Sequence, residues 1–336
     1  MINQRFRCPH CEAALSWNDA RVQCTGCQAS FPVYDGVADF RTTVSDADKR
    51  AEWGHALEIF ASTSGKSFTE LLRRYVETTS RPELLELELR YELDWPARGR
   101  KELSRLKQLL SRVGIADVKT LLDGKECLDI GCGKGVLLAA IAPLARHVIG
   151  IDYSVAYVLF ARALLRERGQ QNFSLAVAEG EHLPLAGASV GFVSALDVVE
   201  HLADQRQGVQ QAYRVLAKQG HLFLNSPNRY SLLAPEDHCQ LWFVGIVPYR
   251  WQKAYVRLRT GGSYKNVRLL SYSAVKGMMR SQASRLTEAA VMVDMAPDAK
   301  LSGKEKLLAR AAPLRWLLNT PPFKYVAPSF HFLAAK

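Results

Sequence analysis

Hydrophobic positions fall into distinct rhythms along the chain. Between about residues 44 and 120 they recur at helical spacing, as in Leu103, Leu106, Leu110 and Val113 with Lys and Arg between them. Leu85–Leu93 alternates like a strand, yet its Leu and Glu content favours helix. From about Leu121 short apolar runs alternate with helical stretches. Strands are expected at Cys127–Ile130, Val148–Asp152, Ser174–Ala178, Val190–Leu196 and His221–Asn225, with a helix at Val136–Leu144. Beyond them, Ser273–Met279 reads as helix, Ala289–Val293 as a sixth strand, Leu301–Leu318 as a helical insertion and Tyr325–Leu333 as a final strand. This alternation predicts an α/β fold with a mostly parallel sheet and helices on both faces.

The residues after the first core strand narrow the chemistry. Asp129 is followed by Gly131, Gly133 and Gly135, and a helix begins at Val136. Glycines let the backbone approach a ligand closely, and the helix N-terminus offers unpaired N–H groups. An acid beside such a turn repels a pyrophosphate but suits a cationic amino-acid moiety. Asp152 ends the second strand, 21 residues after Gly131, which suits a carboxylate accepting ribose hydroxyls. A dinucleotide enzyme would prefer the G-x-G-x-x-G spacing, which is absent here. Gly65-Lys66-Ser67 is not a phosphate loop, because Phe60 stands where that motif needs glycine.

Taken together, Asp129, Gly131, Gly133, Gly135, Asp152, the segment Ala178–Leu185 and Val199-Glu200-His201-Leu202 resemble the ordered motifs of class I S-adenosylmethionine-dependent methyltransferases. The resemblance covers roughly residues 120–230 and the C-terminal end. It implies a Rossmann-like seven-stranded sheet with an antiparallel last strand. It also implies cofactor contacts at Asp129, Gly131, Cys132, Gly133, Gly135, Asp152, Tyr153, Glu179, Gly180 and Leu196. Glu179 stands where the family commonly has Asp contacting the adenine amino group. Three roles are open for Asp197, Glu200 and His201: a general base oriented by carboxylates, a divalent-metal site completed by His238, or a plain helix cap. The metal arrangement is similar to that of small-RNA 2′-O-methyltransferases and ubiquinone-pathway O-methyltransferases, with Asp197 replacing their first Glu.

The N-terminus carries separate chemistry. Cys8, Cys11, Cys24 and Cys27 form C-x2-C-x12-C-x2-C, in which each pair can chelate from one turn. Four thiolates close a tetrahedral zinc site of structural type, and about 40 residues need one because they cannot enclose a sufficient core. The seven cysteines are an odd number, and their paired spacing favours metal over disulfides. Phe31–Phe40 resembles the ending of the small zinc-ribbon proteins that activate RNA and release-factor methyltransferases in trans, which implies docking rather than chemistry.

Composition adds little until charge is located. The chain is 48% apolar and 23% charged, with a formal charge of +11. From His238 to Thr287 there is no acid, while nine Lys and Arg residues leave only +2 for the rest. Aromatic residues interleave with these charges, in Leu241–Trp251 and Tyr255–Arg259. Such a stretch can stack on bases and neutralise phosphate, meet a lipid-linked acceptor at an anionic membrane, or simply cap the site. No run of about 18 apolar residues exists, so no membrane span is expected, and the start lacks a signal-peptide core, which points to the cytoplasm.

The expected organisation is a zinc ribbon over 1–40, a helical linker or lid over 41–120, and a methyltransferase domain over 121–336 with an acceptor-side insertion at 229–272. The expected activity is methyl transfer to an oxygen or nitrogen of a small or carrier-linked acceptor. An RNA methyltransferase and a non-catalytic cofactor-binding partner are the alternatives.

Overall fold

A computed structural model describes residues 5–61, 65–80, 85–236, 238–290, 292 and 311–336. Four short strands open the chain: β1 (Leu15–Trp17), β2 (Arg21–Cys24), β3 (Ser30–Tyr34) and β4 (Val37–Asp39). Helices follow as α1 (Asp46–Ala61), α2 (Phe68–Thr79), α3 (Leu85–Leu93), α4 (Trp95–Ser111) and α5 (Val118–Leu122). Leu85–Leu93 is therefore helical, as its composition indicated. Ser67, in the rejected phosphate-loop tripeptide, instead caps α2: its hydroxyl accepts from the Glu70 N–H, and Glu70 accepts from the Ser67 N–H in return.

The alternating region then forms β5 (Glu126–Ile130), α6 (Val136–Ile141), β6 (His147–Asp152), α7 (Val155–Glu167), β7 (Phe173–Val177), β8 (Val190–Leu196), α8 (Gln205–Val215) and β9 (Leu216–Pro227). The C-terminal part adds α9 (Tyr249–Thr260), α10 (Tyr272–Arg280), β10 (Arg285–Ala289), a short helix at Ala312–Leu318 and β11 (Ser329–Ala335). The sixth core strand thus ends where the sequence reading began it, and residues 291 and 293 of the expected strand lie outside the described residues. The apolar run Ala289–Val293 drew the expectation. The pairing strand is an edge strand, half solvated, and needs no such run. The final strand begins at Ser329, after a turn of 3₁₀ helix at Phe323–Tyr325. Residues 301–310 of the expected helical insertion also lie outside the described residues.

All the strands join one sheet in the order β1-β2-β3-β4-β7-β6-β5-β8-β9-β11-β10. The expected seven strands are therefore eleven among the described residues. The four additional strands come from the N-terminal segment, because β4 pairs parallel with β7, Ala38 opposite Ala176 and Asp39 opposite Val177. β11 is antiparallel to β9 and to β10. β6 and β7 lie to one side of β5, and β8 and β9 to the other. The order therefore reverses at β5, and the crevice beyond its carboxyl end is the natural place for a ligand.

Burial explains the continuity. Phe6, Val22, Phe31 and Phe40 from the N-terminal segment share one apolar cluster with Leu128, Ile149 and Val193 of the central sheet. The opposite face of the sheet is covered by a second cluster that includes Trp53 of α1, Leu106 and Leu110 of α4 and Leu159 of α7. Among the described residues no helix is long and apolar enough to cross a membrane.

Candidate functional site

The glycine turn lies between β5 and α6. Val198 occupies the space that a side chain at Gly131 would need, with a Cβ–Cγ2 separation of only 2.3 Å. Gly133 is the opposite case: its φ is +51° and a Cβ there would meet nothing within 4 Å. Bare backbone thus faces open space at the carboxyl end of β5, which is what close approach by a ligand requires. Gly135 is the N-cap of α6.

Asp152 holds the turn in place. One of its oxygens accepts from the Gly133 N–H at 2.8 Å and the other from the Ser154 N–H at 2.8 Å. Burial raises its pKa against these bonds. Asp129 is buried and accepts from the Ser194 hydroxyl at 2.7 Å. Burial pushes its carboxyl up to about 7, the Ser194 bond opposes this, and the nearby Asp152 and Glu102 charges add to it. Cys132 is also buried, so its thiol is held neutral.

Helices α3 and α4 lie over the turn. Lys134 pairs with Glu92, which also binds Arg98 at 3.0 Å. Gly99 lets α4 pack against Val136, whose carbonyl oxygen would lie 3.2 Å from a Cβ at that position. The chain segment after β4 closes the other side. The Arg41 guanidinium donates to the Tyr153 carbonyl at 3.2 Å and lies 5.0 Å from the centroid of the Tyr153 ring. Thr42 and Thr43 donate through their backbone N–H groups and hydroxyls to Glu179. Those bonds fill the acceptor capacity of a carboxylate. Here Glu179 binds this segment instead of presenting free oxygens for the expected adenine contact. Gly180, just beyond Glu179, packs against Leu202.

At the end of β8, Leu196 pairs with Asn225. Asp197 has a left-handed backbone, φ +53°, fixed by its N–H donating to Asn225 Oδ1 at 2.6 Å. Burial raises the Asp197 pKa. Glu200 is 1% exposed, and its Oε2 accepts from Ser226 at 3.0 Å. Its Oε1 has no hydrogen-bond partner among the described residues. Burial, reinforced by Asp197, pushes the Glu200 carboxyl up to about 8.

His201 meets the basic insertion. Its Nδ1 lies 2.9 Å from the Asn266 carbonyl, an acceptor only, so Nδ1 carries a proton. Its Nε2 faces the Nε2 of His238 at 3.2 Å, and His238 Nδ1 is 2.5 Å from Glu236. Burial lowers the His201 pKa. Two imidazole nitrogens facing each other at this distance need a proton or a cation between them, since two lone pairs repel. Glu200, His201 and His238 bring one ligand atom each within 4.8 Å of one another, while Asp197 is outside that group. The imidazole and carboxylate donors suit a divalent transition metal.

The second ligand group lies in the N-terminal strands. The sulfurs of Cys8, Cys11, Cys24 and Cys27 all fall within 4.8 Å of one another. The Gly26 and Cys27 N–H groups donate to Cys24 Sγ at 3.3 and 3.4 Å. Burial opposes ionisation of Cys24, but these N–H groups outweigh it and lower the thiol to about 6. Such a donor set fits a soft ion such as zinc.

Most residues expected from the sequence therefore converge at the carboxyl ends of β5, β6 and β8. Arg41, Thr42, Thr43, Asn225, Ser226 and Asn266 were missed. Each acts on the site from a distant stretch, and no local motif marks it.

Comparison with known proteins agrees with this geometry. Residues 128–224 match the family model described as a methyltransferase domain. A Mycolicibacterium smegmatis protein named "Probable S-adenosylmethionine-dependent methyltransferase" is 39% identical over 114 residues, covering 34% of this chain and 42% of that one. A ubiquinone biosynthesis O-methyltransferase from Aromatoleum aromaticum is 31% identical over 165 residues, covering 49% of this chain and 62% of that one. The chain thus spans less than two thirds of either relative. A solved complex of the Haloferax volcanii Trm112 methyltransferase activator with a methyltransferase covers 72% of this chain and 95% of that one, at 15% identity and a TM-score of only 0.44. The sequence matches make residues 128–224 a methyltransferase domain of α/β type.

Proposed function

We propose that the protein is an S-adenosylmethionine-dependent methyltransferase acting on an oxygen or nitrogen of a small or carrier-linked acceptor. The observation that carries this reading is the open Gly133 backbone between Asp129 and Asp152. A ribose fits the Asp152 carboxylate, whose oxygens each retain acceptor capacity after one N–H bond, and a cationic ammonium group fits Asp129. When bound, S-adenosylmethionine supplies an electrophilic sulfonium methyl group. The chain's own task is then to align the acceptor and remove its proton. His201, with its proton on Nδ1 held by the Asn266 carbonyl, has Nε2 as its basic atom, and an acceptor reaches it by displacing His238 Nε2, which faces it at 3.2 Å. Relatives named O-methyltransferases favour an oxygen acceptor.

A second role for the same residues is a divalent metal held by Glu200, His201 and His238, supported by the facing Nε2 atoms and the unpartnered Glu200 oxygen. Metal analysis of the intact chain separates the two roles, because this reading requires an ion beyond any held by the four cysteines.

Transfer of labelled methyl from S-adenosylmethionine to RNA, lipid and small-molecule fractions tests the activity and the acceptor class. Binding without transfer to any pool would favour a non-catalytic partner. Asp152→Ala should weaken cofactor binding about 100-fold in calorimetry, as expected for the loss of charge-assisted hydrogen bonds. Unchanged affinity in a folded variant would sink the ribose assignment.

A further inference from the structure

The insertion after β9 has its own small core of Val244, Val256, Tyr264, Val267 and Leu269. Its outer side is unusually apolar for an exposed surface. Trp242, Phe243, Ile246, Tyr249, Trp251 and Leu258 are all exposed, Trp251 by 57% and Leu258 by 84%. Helix α9 shows how this surface is arranged. Gln252 and Val256 are buried, whereas Arg250, Trp251, Ala254, Arg257 and Leu258 are exposed. At 100° per residue those five fall on one stripe facing away from the buried pair. Trp251 and Leu258, seven positions apart, form one edge of the stripe, Arg250 and Arg257 form the other, and Ala254 lies between them.

We propose that this stripe and the adjoining Trp242–Ile246 turn form a docking surface for an anionic lipid bilayer. The charge is complementary: Arg250, Lys253, Arg257, Arg259, Lys265 and Arg268 lie between residues 238 and 272, and no acid does. Glu236, the nearest described acid before that stretch, is buried against His238. The apolar residues decide against nucleic acid. Leu258 and Ile246 have no ring to stack on a base, whereas aliphatic and Trp side chains flanked by Arg suit the headgroup boundary. RNA surfaces combine cations with stacking rings and gain nothing from an exposed leucine.

The surface also reaches the candidate site. Arg268 lies 5.8 Å from the Tyr249 ring centroid, and its N–H donates to the Glu200 carbonyl at 2.7 Å. The neighbouring Asn266 carbonyl holds His201. Resting on the methyl-transfer reading, this adjacency makes the acceptor a molecule anchored in the bilayer.

Co-sedimentation of the full chain with phosphatidylcholine vesicles, with and without phosphatidylglycerol, tests the surface without any activity measurement. The chain should sediment with the anionic vesicles and stay in solution with the neutral ones. Arg250→Gln with Arg257→Gln should weaken binding about 25-fold at low salt, at about fivefold per cation near the surface. Trp251→Ala with Leu258→Ala should weaken it at least about tenfold, since each removes buried apolar area, and both side chains are exposed enough for the variant to fold. No sedimentation with anionic vesicles, or binding that ignores both double variants, would overturn the proposal. So would two other results: tighter binding of an RNA oligonucleotide through the same four residues, or self-association that Trp251→Ala with Leu258→Ala abolishes. A chain that docks on vesicles yet does not bind S-adenosylmethionine would instead overturn the methyl-transfer reading and leave the surface standing.

Discussion

Asp129 shows how one residue links burial to affinity. Its carboxyl stands at about 7 because burial disfavours the charge, so near neutral pH the site is only half ionised. An ammonium group binds the ionised form. Protonation therefore competes with binding, and affinity falls as pH drops through the free protein's pKa. S-adenosylmethionine affinity should weaken roughly tenfold from about pH 7.5 to about pH 6, and Asp129→Asn should flatten that slope while lowering affinity throughout. Calorimetry across the range checks this, and a flat profile in the unaltered protein would remove Asp129 from the ammonium site. The residue itself was legible in the sequence, because an acid before a glycine turn is a local pattern. Its partner Ser194 was not, since the two are neighbours only through the β5–β8 pairing.

At the scale of elements, the segment leaving β4 stands out. Asp39 and Arg41 are both 0% exposed, paired at 2.7 Å, and Asp39 also accepts from the Trp53 indole at 3.0 Å. Lys49 donates to the Arg41 carbonyl at 2.5 Å. Removing one member of a buried pair strands the other charge, at a cost of about 3–5 kcal/mol. Arg41→Met should lower the urea-unfolding free energy by that amount and also loosen Tyr153, which Arg41 touches. A change below about 1 kcal/mol would show that the pair contributes little. The core strands β5, β6 and β8 were readable from their apolar runs, because a strand buried on both faces advertises itself. The attachment of β4 to β7 was not, because β4 is three residues long and its partner lies more than 130 positions away. The edge strand β10 was misplaced for a different physical reason: half-solvated strands carry a weak apolar signal.

For the whole molecule, the shared apolar cluster predicts how it unfolds. The four-cysteine hairpins and the central sheet pack around common residues, so they should melt as one unit. The purified chain should contain about one zinc for the four cysteines. Stripping it should lower a single calorimetric transition rather than split it in two. Two separate transitions would mean that the N-terminal strands fold independently of the sheet. The parallel pairing of β4 with β7 has a further consequence. A strand lent by a separate subunit would leave the edge of β7 bare whenever that subunit diluted away. Here the lent strand is tethered, so its local concentration is set by the chain and not by the cell. The part of the β7 edge at Ala176 and Val177 is thereby kept paired, and protection of that end from edge-to-edge association is built into the connectivity.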